Sequence, residues 1–251
     1  LVSAFATTAR LVLAQEAVPD KANELAAIPP LLARLGAEDG LKGALVSIDA
    51  IATNADVAKA IIDQGADYLL AVKANQPTLR AEVEAAFAEA GEGLETHTDL
   101  DKGHGRIEVR RMTVLREVDW LDGTRRFPGE LRLPGATCLL RAEIRVETRG
   151  STRTETRYFL PSRALGAAGA APAGREHWAI DHRLHWVLDV TFGDDQSRLR
   201  KGHGARNMAT VRHFALNLVR TVADRRSIKS RRKLAGWSPD YLQAILSSRP
   251  T

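Results

Sequence analysis

Two short stretches at the start of the chain show the partial alternation of apolar and polar residues that is typical of β-strands. We predict strands over Leu1–Ala6 and Leu11–Val18, joined by the polar turn Thr7–Arg10. The first of these strands is already in progress at residue 1. We therefore expect the chain to begin inside a domain.

Residues 23–90 alternate between helical and strand-like patterns. Apolar residues recur at helical spacing after Asn23, and Gly36 ends that segment. The same patterns predict strands over Ala44–Ile48 and Tyr68–Val72, and helices over Asn54–Gln64 and Thr78–Ala90. Strands that alternate with helices indicate an α/β layered domain with parallel pairing in its middle.

The pattern changes after Gly91. Charged and apolar residues alternate over Arg106–Leu115, Cys138–Thr148 and Arg153–Leu160, as they do in antiparallel strands with one wet face. Ala164–Gly174 is rich in alanine and glycine and contains one proline. We interpret this last stretch as a flexible loop.

The last part of the chain is predicted to be helical over Arg175–Leu188, Arg206–Ala223 and Trp237–Leu246. The second helix has an apolar face made of Met208, Val211, Phe214, Ala215, Leu218 and Val222. These patterns divide the chain into an α/β core (1–92), a β-rich insertion with a loop (93–174) and a helical, basic C-terminal region (175–251).

Composition excludes several classes of protein. Apolar residues make up 44% of the 251 residues, which is enough for a sizeable core. No run approaches the ~20 apolar residues of a membrane span, and no secretory leader is recognisable. The single cysteine, Cys138, excludes a disulfide framework and a multi-cysteine zinc site. We expect a cytoplasmic protein.

Charge is distributed unevenly along the chain. Residues 1–100 carry 7 Lys and Arg against 15 Asp and Glu, whereas residues 101–251 carry 29 against 16. Beyond residue 200 there are 11 basic residues and only two acidic ones. A basic region of this kind favours a polyanionic partner, most often nucleic acid, although a solvated basic tail is the alternative.

The chemistry that the α/β core can support lies at its strand ends. Asp49 directly follows one predicted buried strand, and Lys73 follows the next. Ligands bind at the carboxyl ends of the strands in such sheets, so Asp49 is well placed to hold a metal ion. The alternative is that Asp49 only caps a helix or turn.

A second candidate site lies on the helix predicted from Arg175. His177, Asp181 and His185 stand four residues apart and would share one helix face, where they could bind a divalent metal. The alternative is an amphipathic helix whose histidines make hydrogen bonds. Asp189 and the pair Asp194 and Asp195 follow as further candidate acids.

Basic residues cluster in two places near the C-terminus. One group lies around two glycines, and the other follows the long helix. Cations on a shared surface bind backbone phosphates without reading bases. The candidate DNA-contacting residues are Arg198, Arg200, Lys201, Arg206, Arg231, Arg232 and Lys233.

These residues stand within longer motifs that resemble a known family. The stretches ALVSIDA, DYLLAVKANQPTL, ETRYFLPS, HWAIDHRLHWVLDVTFGDD and NMATVRHFALNLVR occur in family order and, with shorter matches, cover nearly the whole chain. The sequence resembles the DDE transposases of bacterial insertion sequences, of the H-repeat-associated type.

The resemblance implies an RNase H-like α/β fold with a β-rich insertion before the last catalytic helix. It implies cleavage and joining of double-stranded DNA at transposon ends by a homo-oligomer, with two Mg²⁺ or Mn²⁺ ions held by acids, and a nucleoid-associated location in the cytoplasm. Asp49 matches the second acid and Asp181 the third. Lys73, Asn75 and Gln76 match a KxNQ segment that contacts DNA or supports the site, and His177, Trp178 and His185 flank the third acid.

Two departures from the family pattern affect the expected activity. The family's first acid and first strand precede the segment that residue 1 matches, so we expect a truncated, inactive fragment with an incomplete sheet. The third acid is normally glutamate, and Asp181 is shorter by one methylene; Asp189 is a candidate substitute. A catalytically dead DNA-binding remnant is therefore an alternative function. A metal-binding protein unrelated to the family, using His177, Asp181 and His185, is a further one.

Overall fold

The computed structural model describes residues 1–18, 24–103, 105–121, 130, 132–199 and 201–247. The chain forms two compact units. Ile28–His177 makes up one, which we call the sheet unit, and Leu1–Ala27 together with Trp178–Thr251 makes up the other, which we call the basic unit. The basic unit carries 16 Lys and Arg against 9 Asp and Glu, so the excess positive charge of the chain lies in it.

The strands are β1 (Val2–Ala6), β2 (Leu11–Glu16), β3 (Leu45–Ile48), β4 (Asp67–Val72), β5 (Glu95–Gly103), β6 (Arg106–Leu115), β7 (Leu139–Thr148) and β8 (Ser151–Pro161). The helices are α1 (Ile28–Gly36), α2 (Ala55–Ile62), α3 (Pro77–Glu89), α4 (Ala167–His177), α5 (Trp186–Phe192), α6 (Gly204–Thr221), α7 (Ile228–Trp237) and α8 (Pro239–Ser247). Most predicted elements are therefore present, with ends shifted by a few residues.

One six-stranded sheet, in the order β3-β4-β8-β7-β6-β5, forms the centre of the sheet unit. As predicted, β3 and β4 pair in parallel, with Ile48 opposite Leu70. The other pairs are antiparallel, and Leu70 also lies opposite Leu160 of β8. The predicted boundary between residues 92 and 93 falls within this sheet, because β4 and β8 come from opposite sides of it.

The stretch predicted to be a flexible loop over Ala164–Gly174 is instead largely helix α4, so that prediction was wrong. Alanine favours helix strongly, and the small side chains Ala167 and Ala170 are buried against the sheet. A Cβ added to Gly174 would lie 3.2 Å from Met112, so the glycine lets the helix approach closely. The backbone N–H of Ala167 donates to Glu95, 2.7 Å away, at the start of the helix.

Two elements were not predicted. β5 was missed because seven of its nine residues are exposed, so its sequence, ETHTDLDKG, lacks apolar alternation. Helix α7 was noted only for its basic residues; it begins after Ser227, whose hydroxyl accepts a hydrogen bond from the N–H of Ser230. Hydrophobic periodicity arises where one face of an element is buried. No residue of β5 or α7 is buried, so neither sequence shows a clear period.

In the basic unit, β1 and β2 form a separate two-stranded antiparallel sheet. Val12 of β2 packs with Leu184, Leu188 and Leu216 in the core of the basic unit. The backbone N–H and carbonyl of Val12 both bond to the side chain of Asn217 on α6, which turns that side of the helix inward.

Helix α6 therefore does not bury the face predicted for it. Its buried residues are Ala209, His213, Leu216 and Val219, whereas Val211 and Phe214 are 58% and 64% exposed. With α6 in this orientation, Asn217 makes its two hydrogen bonds to β2 and Leu216 packs in the same apolar cluster as Val12.

The chain is thus a mixed α/β protein with a mixed parallel and antiparallel sheet. The finer prediction of an RNase H-like fold stays a prediction. None of the helices in the described part of the chain is long and apolar enough to cross a membrane.

Candidate metal and DNA site

Asp49 lies at the carboxyl end of β3, and Lys73 lies at the carboxyl end of the neighbouring strand β4. Parallel pairing puts both ends at one edge of the sheet, and Lys73 Nζ is 2.6 Å from Asp49 Oδ1. The same oxygen accepts a 2.8 Å hydrogen bond from the backbone N–H of Ala50. Asp49 therefore caps the turn that follows it, and its side chain is still 57% exposed.

Asn75 and Gln76 hold the turn that follows Asp49. Asn75 Nδ2 donates to the carbonyl of Ala50 at 3.3 Å, and Gln76 Nε2 donates to the carbonyl of Thr53 at 2.6 Å. The hydroxyl of buried Thr53 in turn donates to the carbonyl of Ala71 in β4 at 2.7 Å. The KxNQ segment thus supports the surroundings of Asp49 in this structure, and its contact with DNA stays a prediction.

Sequence reasoning did not single out Thr53. Its position four residues after Asp49, between two buried apolar segments, was the available signal, but a lone threonine in a turn predicts no particular partner.

The pKa of Asp49 is lowered from its ordinary value. Burial alone would raise that pKa, but the hydrogen bond from Lys73, the backbone N–H of Ala50 and the positive charges of Lys73 and His177 together lower it. Asp49 is therefore a carboxylate at neutral pH, which is the form that binds divalent cations.

His177 is buried at the end of α4, in the same unit as Asp49. Its ring meets Phe159 of β8 edge-on, with 5.5 Å between ring centroids. The next residue, Trp178, is a half-buried turn residue at which the helix is interrupted. The roles predicted for His177 and Trp178 in supporting the third acid stay predictions.

Asp181 and His185 are exposed and belong to the basic unit. They delimit a π-helical segment, closed by a hydrogen bond from the N–H of Trp186 to the carbonyl of Asp181. The continuous helix predicted to align His177, Asp181 and His185 is therefore not formed, since it breaks at Trp178 and widens at Asp181. In the described ranges no three His, Cys, Asp or Glu side chains are grouped to hold a metal. π-Helical turns are frequent at functional sites.

Asp189, the candidate substitute acid, lies on α5 close to Asp194 and Asp195. Its pKa is raised, first by burial and then by the two neighbouring carboxylates. Arg212 forms an ion pair with Asp194. A carboxyl group with a raised pKa binds a cation less readily than the carboxylate of Asp49.

The predicted DNA-contacting residues fall into two groups. Arg198, Lys201, Arg206 and Lys233 are exposed. Arg231 forms hydrogen bonds within the protein, because it donates to Asp224 and to the carbonyl of Val219. Arg232 donates to the carbonyl of Thr191 and lies over the ring of Phe192. Arg200 lies outside the described residues.

Removing Lys73 provides a test of this electrostatic arrangement. In Lys73→Ala we expect the pKa of Asp49 to rise, because the group that lowers it most is lost. A carboxyl with a lowered folded-state pKa stabilises the protein above its unfolded-state pKa, about 3.9, and the stabilisation disappears as the pH falls through the folded-state value. As the pH falls below about 4, the free energy of unfolding should therefore decrease less in Lys73→Ala than in the wild type.

Carbon NMR of the Asp49 carboxyl group measures its pKa directly, and denaturant unfolding across the pH range measures the linkage. Lys59→Ala is the matched control, because Lys59 pairs with Asp63 on the surface of α2. An unchanged Asp49 titration in Lys73→Ala would refute the electrostatic role of Lys73.

Comparisons with known proteins agree with the motifs. The family model described as a transposase DDE domain matches residues 1–218. The chain is 35% identical to putative transposase YncI of Escherichia coli O157:H7, over 99% of this chain and 63% of that protein. It is 32% identical to H repeat-associated putative transposase YhhI of Escherichia coli K12, over 98% of this chain and 65% of that protein. The chain thus spans somewhat less than two thirds of the length of these relatives.

Proposed function

This chain belongs to the transposase DDE domain family, and from that premise we propose that it acts on double-stranded DNA at transposon ends by metal-dependent strand cleavage and transfer. The main support for this proposal is the position and charge of Asp49. This residue is an exposed carboxylate with a lowered pKa at the carboxyl end of a parallel strand, which is where such sheets bind ligands.

We assign metal binding to Asp49 in the sheet unit and to Asp181 in the basic unit. The donor chemistry fits, since carboxylate oxygens are the ligands that Mg²⁺ and Mn²⁺ prefer. Divalent ions held by these acids would supply activation of the attacking oxygen and stabilisation of the leaving oxygen. Lys73 holds Asp49 as a carboxylate, while Asn75 and Gln76 fix the backbone turn that positions it.

DNA binding is assigned to the basic unit. Exposed Arg198, Lys201, Arg206 and Lys233 supply positive charge, and phosphates need only cations on a shared surface. The resemblance adds homo-oligomeric assembly on paired DNA ends and a nucleoid-associated location, and both are part of this proposal.

The first experiment measures affinity for duplex DNA over a range of salt concentrations. We expect the logarithm of the association constant to fall linearly with the logarithm of salt concentration. In the double variant Lys201→Ala, Arg206→Ala the slope should decrease in magnitude by about 2, because each lost phosphate contact contributes about 1.

The matched control removes two lysines from the sheet unit, as Lys42→Ala, Lys59→Ala. Both are exposed and both pair with surface aspartates. The control should keep the wild-type slope within error. Equal losses in the two double variants would mean that net charge alone, and no surface of the basic unit, determines binding.

A second candidate function is DNA binding without catalysis. The presence of aspartate at position 181, where the family usually has glutamate, favours it, because the shorter side chain holds its carboxylate closer to the helix. The two functions differ in whether lengthening this side chain produces strand cleavage in a chain that also carries the family's first acid.

A further inference from the structure

Helix α7 carries an outward stripe that contains Lys233 and two residues, Lys229 and Trp237, to which no role has yet been assigned. Lys229, Lys233 and Trp237 are spaced four residues apart, so they lie on one face of the helix, and all three are exposed. Trp237 is 77% exposed, the largest value among the large apolar side chains in the described part of the chain. We call these three residues the Trp237 stripe.

The opposite side of α7 is fixed within the basic unit. Arg231 donates 2.7 Å and 2.6 Å hydrogen bonds to the carboxylate and carbonyl of Asp224. Arg232 bonds to the carbonyl of Thr191, and Tyr241 of α8 donates to Asp224 at 2.8 Å. With these contacts in place, the Trp237 stripe is held facing solvent on an ordered helix.

Four donors converge on Asp224, which is why this anchor is strong. Burial alone would raise the pKa of Asp224, but hydrogen bonds from Arg226, Tyr241 and Arg231 lower it far below its ordinary value. The carboxylate therefore stays charged across the pH range of any binding experiment, and α7 keeps its orientation.

The chemistry of the stripe selects its ligand. An exposed indole offers a flat apolar face, and two ammonium groups one and two helical turns away favour negative charge. Tryptophan is enriched in protein–protein interfaces but lysine is depleted there, so it is the two lysines that favour an anionic partner over a protein. A nucleic acid offers both a π-face and phosphates, but the faces of its bases are accessible only where the bases are unpaired.

We propose that Trp237 stacks on an unpaired DNA base while Lys233 and Lys229 bind the neighbouring phosphates. This inference rests on the proposed action on DNA and adds to it a preference for single-stranded or locally opened DNA. Stacking of one base on an aromatic side chain is worth about 1–3 kcal/mol, which corresponds to about 5- to 150-fold in affinity.

The test compares binding of the whole chain to three fluorescently labelled probes: a single strand, a blunt duplex and the same duplex with a short single-stranded overhang. We expect Trp237→Ala to weaken binding to the single strand and the overhang by about 5- to 150-fold. Binding to the blunt duplex should change by less than about 2-fold, because paired bases offer no face to Trp237. Trp237→Phe should retain most of the affinity.

Phe214→Ala is the matched control, since Phe214 is an exposed aromatic residue on α6 of the same unit. It should bind all three probes as the wild type does. Lys229→Ala, Lys233→Ala should reduce the salt dependence of binding to the single strand. A thermal melt of each variant confirms that the folded state is kept.

The outcomes separate this inference from the function it rests on. If the wild-type chain binds none of the probes, the proposed action on DNA is itself contradicted. If the wild-type chain binds DNA and Trp237→Ala binds every probe equally well, the stacking role is refuted. A change in self-association alone, seen in sedimentation of Trp237→Ala without any change in DNA affinity, would also refute it.

Discussion

In a chain extended upstream to supply the family's first acid, Asp181→Glu is expected to raise the rate of metal-dependent DNA strand cleavage by about 100-fold. An error of about 1 Å in the placement of a reacting or ligating group costs on the order of 100-fold in rate, and glutamate restores the missing methylene. Asp181 is exposed at the first residue of a π-helical segment, so the longer side chain meets no packed neighbour. Cleavage of end-labelled duplex DNA in Mg²⁺ and Mn²⁺ measures the gain.

Two further variants control for the change at position 181. Asp181→Asn should cut more slowly than the wild type, because it keeps the side-chain length but loses the charge. Asp189→Glu should give no gain, since the raised pKa of Asp189 disfavours metal binding there. Absence of cleavage by both Asp181→Glu and the wild type, with DNA binding retained, would favour the non-catalytic DNA-binding function.

Phe159→Ala is expected to lower the free energy of unfolding by about 3–5 kcal/mol, which is typical for emptying the site of a buried phenylalanine. Phe159 is 1% exposed and lies on β8 between Ala71 of β4 and Leu140 of β7. It also packs against His177, so the cavity would open beneath the end of α4. Urea unfolding followed by circular dichroism gives the loss.

Phe214→Ala serves as the control for Phe159→Ala, because the same side chain is removed from an exposed site. It should change the free energy of unfolding by less than about 0.5 kcal/mol. A loss below about 1 kcal/mol for Phe159→Ala would contradict its place in the core of the sheet unit.

The parallel part of the sheet could be predicted because its sequence is distinctive. The runs ending at Ile48 and Val72 are apolar, short and separated by an amphipathic helix, a combination that leaves little choice of fold. The proximity of Asp49 and Lys73 then follows, since neighbouring parallel strands end at one edge. The parallel pairing and the proximity of these two side chains were therefore the features of the site that the sequence determined best.

Other elements could not be predicted because local composition pointed elsewhere. The Ala- and Gly-rich stretch before His177 has the composition of a linker, yet tertiary packing against the sheet makes it helix α4. The observed rotation of α6 brings Asn217 into hydrogen bonds with Val12, which is 205 residues away in sequence. Long-range hydrogen bonds of this kind leave no periodic signal.

The backbone geometry around Asp181 also could not be predicted from the sequence. Four-residue spacing assumes regular α-helix, and nothing in HWAIDHRLHW distinguishes a π-helical segment from an α-helical one. Similarly, the dense basic run after Ser227 gave no sign that Arg231 is bonded within the fold while Lys233 is exposed. Counting charges identifies a basic region. It does not show which of its residues form contacts within the fold and which are free to bind a partner.

The most direct test of the proposed function is whether metal-dependent DNA cleavage requires Asp49. In a chain extended upstream to supply the family's first acid, we would compare Asp181→Glu with the double variant Asp49→Asn, Asp181→Glu on labelled duplex DNA, with Mg²⁺, with Mn²⁺ and with a chelator. Asp63→Asn, which removes a surface carboxylate paired with Lys59, would be the control in the same background. We expect metal-dependent cleavage that Asp49→Asn abolishes and Asp63→Asn leaves intact. Cleavage that survives Asp49→Asn, or the absence of metal-dependent cleavage in every variant, would contradict the proposed function.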